Sequence, residues 1–337
     1  TTILYDFYLN TFPPSNPEFI AGHDWLIFLI SHEMRHAFQH HAEMKNLIKF
    51  SYIYGGNVLK GNFNNFFSYI PAWFYEGDAV CKETSISHYG RLSYPSYLMN
   101  TKSIMENSNI NYMQAFYRSK NSQLPSLYQL GSMIVFYMKI KYGKDIVDKI
   151  FFETSKSILP FGFYIVVKKL TGKHVHEIYE DMRKYLLDIW SIQNLDIKET
   201  KSEVLNKSHK YVFMDYFYPQ FFENENIIAL KVDKNNNYEI VEIKNFKEKR
   251  LYNPYKIVKN TRISSSKKNC LVWLEPRSTL FSKNSYINIM MLKKNKNKFS
   301  IHPLISGRFT DVGISSNEEK IVAIESSPSY HHSLKLI

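Results

Sequence analysis

The pentapeptide His32-Glu33-Met34-Arg35-His36 constrains this chain more than any other stretch, because its chemistry works only on a helix. At ~3.6 residues per turn, histidines four apart stand one turn above each other, so both imidazoles can reach one metal ion. Glu33 projects roughly 100° away from His32, near the metal position but off it. That suits a base acting on a metal-bound water. The preceding run, Asp24-Trp25-Leu26-Ile27-Phe28-Leu29-Ile30-Ser31, is apolar and reads as the buried start of the same helix, with Asp24 as its N-cap. The helix is expected to run to about Ile48.

Three fixed positions in five recur by chance, and an ordinary amphipathic helix with two core-edge histidines would match them too. Two features favour the metal. Burying Glu33 and two histidines on so apolar a helix is costly without an ion. Forty residues on, Pro71-Ala72-Trp73-Phe74-Tyr75-Glu76-Gly77-Asp78-Ala79-Val80 is a second apolar run interrupted by a carboxylate, with Pro71 just ahead of the predicted helix. A catalytic zinc site wants three protein ligands and one open position. His32, His36 and Glu76 supply the three. A metzincin site is excluded, because Gln39 stands where its glycine belongs and Ala42 where its third histidine belongs. His40 and His41 fall at the wrong distance and read as helix-surface residues.

The chain's 337 residues give room for two domains, and 44% hydrophobic content with 16% aromatics supplies ample core. No run of ~18 uncharged apolar residues appears, which predicts no membrane span. The start at Thr-Thr-Ile-Leu without methionine suggests processing or a fragment, with any signal peptide out of view. Cys81 and Cys270 fall in different predicted domains, so two buried thiols are expected rather than a disulfide.

The net charge of +12 is uneven. Residues 1–196 hold 19 Lys+Arg against 17 Asp+Glu, and 197–337 hold 24 against 14, so the net is +2 and +10. An anionic partner such as a glycan, lipid or nucleic acid is one reading. Solvated, Lys- and Asn-rich strand faces are the plainer one, and it is preferred. No interleaved aromatic and basic motif supports nucleic-acid binding.

Phe12-Pro13-Pro14-Ser15-Asn16-Pro17 cannot continue a helix or a central strand, so residues 1–22 read as a short strand and a loop. Gly55-Gly56 and Gly61 mark a further loop. Residues 85–126 read as Tyr-rich short helices. Leu127–Met138 reads as a buried helix stopping at Lys141-Tyr142-Gly143, and Asp145–Ser155, Phe161–Leu170 and Val175–Ile192 also read as helical. After about Leu195 the texture becomes β-rich. Phe221–Leu230, Ile263–Leu274 and Ile314–Ile324 each run from an apolar residue through a polar turn into a strand. Their spacing of roughly 40–50 residues suits propeller blades. Three blades cannot close a ring of four to eight, so a chain cut short at Ile337 is preferred over a sandwich.

Asp24-Trp25-Leu26, His32–His36, Pro71–Ala79, Gly90-Arg91, Leu130-Gly131-Ser132 and Lys141-Tyr142-Gly143 occur in order. Together they resemble the gluzincin peptidases of the MA-like type found ahead of a TolB-like β-propeller in bacterial envelope proteins. The resemblance covers about residues 20–190 well and the remainder loosely. It implies an α+β fold: a mainly helical, zincin-like metallopeptidase domain at 1–196, then an all-β, propeller-like and incomplete region at 205–337. It implies Zn²⁺ on His32, His36 and Glu76, with Glu33 as the catalytic carboxylate. It also implies a peptide or protein substrate, an envelope protein partner for the propeller, and an extracytoplasmic location. In thermolysin-like gluzincins an acidic residue four past the ligand glutamate orients a zinc-bound histidine. Here that position is Val80, and Asp78 and Glu83 both stay open for the part. Tyr128 and Tyr89 are candidate oxyanion donors by residue type only. The competing expectation is an envelope propeller binding a protein or glycan, with a non-catalytic zinc domain.

Overall fold

The computed structural model describes residues 25–43, 46–63, 66, 69–87, 90–117, 124–157, 159–198, 200–206, 214–223, 225–233, 235, 237–254, 262–277, 286–296, 298–327 and 331–337. The chain divides into two compact units, residues 1–199 and 200–337.

In the first unit the described residues are helical and include no strand: α1 (Trp25–Glu43), α2 (Asn46–Phe63), α3 (Ala72–Ser87), α4 (Pro95–Asn107), α5 (Tyr112–Phe116), α6 (Leu127–Tyr142), α7 (Ile146–Thr154), α8 (Gly162–Thr171) and α9 (Val175–Leu195). The mainly helical domain expected for 1–196 is thus helical among the described residues. The strand expected within 1–22 and the Asp24 cap lie outside the described residues. The loop expected at Gly55-Gly56 and Gly61 is instead inside α2. Gly56 takes φ 60° and kinks that helix, a left-handed conformation glycine adopts at little cost.

Two glycines set the spacing that matters most. A Cβ on Gly131 of α6 would lie 2.1 Å from the Trp73 carbonyl oxygen of α3, and one on Gly77 would lie 2.3 Å from the Gly131 carbonyl carbon. The two helices therefore cross backbone on backbone. Around the crossing, Phe74, Leu130, Ile134, Phe151 and Phe163 are almost fully buried. Ser126 and Gln129 form a capping box that starts α6, and Gly143, at φ 97°, ends it. No helix among the described residues is long and apolar enough to cross a membrane.

The second unit is β. β1 (Met214–Phe222), β2 (Asn226–Asp233), β3 (Tyr238–Lys244) and β4 (Lys247–Tyr252) form one antiparallel meander. β5 (Ser264–Ser265), β6 (Cys270–Arg277), β7 (Tyr286–Asn295) and β8 (Lys298–Gly307) form a second. β9 (Phe309–Ile314), β10 (Ile321–Ser326) and β11 (His332–Leu336) form a third, in the order β11-β10-β9. Each sequence repeat is a hairpin in one of these sheets.

The sheets stack through their apolar faces. Ile228, Leu230 and Ile240 of the first meet Leu271, Trp273 and Leu292 of the second, whose Val272, Leu274 and Ile289 meet Phe309, Val312 and Ala323 of the third. This corrects the propeller-like expectation: the described residues form three small antiparallel sheets, and none closes. The repeat spacing reports hairpins along the chain, and hairpins recur equally in an open stack. Cys81 and Cys270 are free and buried, one in each unit. Burial pushes their thiols up, to about 12 and about 11, which disfavours the thiolate form.

Candidate metal centre

α1 carries His32 and His36 on one face, and α3 presents Glu76 to them. His32 Nε2 lies 3.2 Å from Glu76 Oε2 and 3.2 Å from His36 Nε2, and His36 Nε2 lies 3.3 Å from the same carboxylate oxygen. A tetrahedral ion with ligand bonds of about 2.0–2.1 Å keeps its ligand atoms about 3.3–3.4 Å apart. The triad fits that spacing, and the donor set of two imidazoles and one carboxylate suits zinc. Among the described residues this is the one such group of three or more.

Both imidazoles are held from behind. His32 Nδ1 lies 2.8 Å from Glu83 Oε2 and 3.0 Å from Arg91 Nη2; Arg91 Nη2 already donates to the same carboxylate oxygen, so Nδ1 is assigned as a second donor to Glu83. Glu83, fully buried, also takes Arg91 Nε at 2.7 Å and Arg91 Nη2 at 2.8 Å. The Arg91 guanidinium lies between the Phe28 and Tyr128 rings, 5.5 and 5.3 Å from their centroids. Gly90 lets this turn reach Glu83, since a Cβ there would lie 2.3 Å from Thr84 Cα. His36 Nδ1 donates to Gln39 Oε1 at 2.8 Å. Gln39 Nε2 donates in turn to Asp78 Oδ2 at 2.9 Å and to the Tyr75 carbonyl at 3.1 Å. Asp78 is fully buried between Arg35 and Lys139. With both Nδ1 atoms occupied, both Nε2 lone pairs point at the common position.

The charges follow from this packing. Burial alone would lower His32 and raise Glu76. The contacts win in both cases: Glu76 and Glu83 lift His32, while His32 and His36 hold the Glu76 carboxyl well below the usual carboxylate range. Burial and the neighbouring Glu76, to which it hydrogen-bonds, push the Tyr128 phenol up, with a further contribution from Glu33.

The structure thus brings together His32, His36, Glu76 and Tyr128, with Glu33 outside the triad and within electrostatic reach of Tyr128. Of the two acids left open by sequence, Glu83 orients His32, and Asp78 acts on His36 through Gln39. Val80, fully buried, belongs to the core. His40 and His41 are exposed and outside the triad. Tyr89 lies outside the described residues. Sequence reasoning missed Gln39 and the part played by Arg91. For Gln39 the signal was its i+3 spacing from His36, one turn along the same helix face. Comparisons with protein families, with characterised proteins and with solved structures gave no match.

Proposed function

We propose that this chain is a zinc-dependent peptidase of gluzincin type, acting on peptide or protein substrates. The observation that carries the reading is the convergence of His32 Nε2, His36 Nε2 and Glu76 Oε2, with both Nδ1 atoms already engaged. A bare histidine pair in a core has no need of that preparation.

Zinc, when bound, supplies Lewis acidity and a water with its pKa lowered towards ~7. Glu33, next to His32 but outside the triad, takes the proton of the attacking water on its carboxylate and returns it to the leaving amine. Tyr128 keeps its proton and donates its O–H to the substrate oxyanion. Glu83 and Gln39 hold the imidazoles in one rotamer and one tautomer, so no reorientation is needed during turnover. The extracytoplasmic location is drawn from the sequence resemblance alone.

The test is metal analysis beside digestion of a broad peptide library. Cleavage that a chelator abolishes and zinc restores supports the reading. Fully zinc-loaded protein that cuts nothing in the library sinks it and leaves a binding protein.

A further inference from the structure

The helical unit contains a cavity of about 740 Å³ bordered by α1, α3, α4, α6, α7 and α9. Small-molecule sites run from ~300 to 1,000 Å³, so its size is that of a ligand site. Neither the triad nor Glu33 lines it. Its floor is apolar, built from Leu98, Met133, Leu186 and Trp190, with Met133 and Trp190 buried. At its lip Phe136 and Ile140, one turn apart on α6, are 47% and 51% exposed, which leaves apolar surface uncovered at the entrance.

The rim is charged and its balance is positive. It carries Arg35, Lys82, Lys139 and Lys144 against Asp145 and Asp148. Arg35 is committed to Asp78 and Asp148, and Lys139 to Asp78. Lys82 and Lys144 are exposed and make no ion pair with any described residue. Apolar walls with two exposed ammonium groups on the rim, neither paired with a described residue, suit a ligand with an apolar chain and an anionic end.

We propose that this cavity binds a single-chain anionic amphiphile of the fatty-acid type, its chain along Leu98, Met133 and Trp190 and its head at Lys82 and Lys144. Trp190 in the wall makes binding visible as a change in tryptophan emission. The proposal does not depend on the peptidase reading.

The test titrates the full chain with octanoate, decanoate and dodecanoate below their micellar concentrations, and with dodecylammonium as the cationic counterpart. Affinity should rise about fourfold per added methylene until the slot is full. Dodecylammonium should bind roughly tenfold weaker than dodecanoate. Lys82→Glu and Lys144→Glu, both at exposed positions, should each weaken dodecanoate several-fold. Leu98→Trp should block the slot. No binding of any amphiphile, or equal binding of both head groups, overturns the proposal. So does dodecanoate binding unchanged in both lysine variants. Retention of the protein on phosphatidylglycerol vesicles without binding of free dodecanoate overturns it in favour of a membrane surface.

Discussion

Gln39 Oε1 accepts from His36 Nδ1 at 2.8 Å, so one helix carries both a candidate ligand and the group that aims it. Gln39 is itself held by Asp78, and Asp78 by Arg35 and Lys139. The orientation of His36 therefore rests on a buried carboxylate supplied by α3, the helix that also supplies Glu76.

Gln39→Ala should weaken zinc affinity by about 10–100-fold, the usual cost of removing a ligand's outer partner. A chelator competition measures it directly. Unchanged affinity would mean that helix geometry alone fixes His36.

The Glu83–Arg91 pair separates positioning from stability. Arg91→Met strands a buried carboxylate, and the loss should be about 3–5 kcal/mol of unfolding free energy. Replacing both partners, with Glu83→Met and Arg91→Met together, removes the stranded charge and should recover most of that stability. The double variant should nevertheless lose zinc affinity, because removing Glu83 takes away the acceptor of His32 Nδ1. Denaturant titration and metal competition on the same three proteins decide the point. Full metal affinity in the double variant would show that Glu83 serves only the core.

The candidate site was legible in sequence because its members sit on two helices whose patterns are local. Histidines four apart and a carboxylate within an apolar run need no knowledge of tertiary packing. Helix ends at Pro71 and Gly143 were legible for the same reason: proline and glycine act on their own turn. The kink at Gly56 reads as a loop in sequence, since glycine pairs permit both and only packing chooses. The sheets were harder still. Hairpin repeats are written along the chain, whereas the stacking of Leu271 and Trp273 against Ile228 and Ile240 joins residues some 30–45 apart. Gln39 was passed over because a glutamine on a helix face is ordinary until its partner is seen.

The α3–α6 crossing predicts an intolerance with consequences for the site. Gly131→Ala puts a methyl 2.1 Å from the Trp73 carbonyl oxygen, a backbone atom that can move only with its helix. Overpacking of this kind typically costs about 1–3 kcal/mol. Because α3 carries Glu76, any relief by helix displacement also shifts the carboxylate. Gly131→Ala should lower both the melting temperature and zinc affinity, read by calorimetry and metal competition. A stable variant with full affinity would mean that the helices are not in backbone contact.

Glu33 offers the sharpest division between an enzyme and a binding protein. His32, His36 and Glu76 form the triad, and Glu33 stands outside it while still acting on Tyr128. It should therefore contribute little to zinc affinity and much to turnover. Glu33→Gln keeps the shape of the side chain and removes the proton acceptor. Losing a general base typically costs ~10²–10⁴-fold in rate, and the loss should fall on kcat with zinc content unchanged. Glu76→Gln makes the contrasting case, because it removes a ligand charge and should lower zinc content first. Measuring zinc and kcat for both variants on a casein or peptide-mixture substrate separates the two roles. If Glu33→Gln cleaves as fast as the unaltered protein with full zinc in each, Glu33 is not the base. Cleavage would then not depend on Glu33, and the assignment of gluzincin chemistry to the His32, His36 and Glu76 triad would fail.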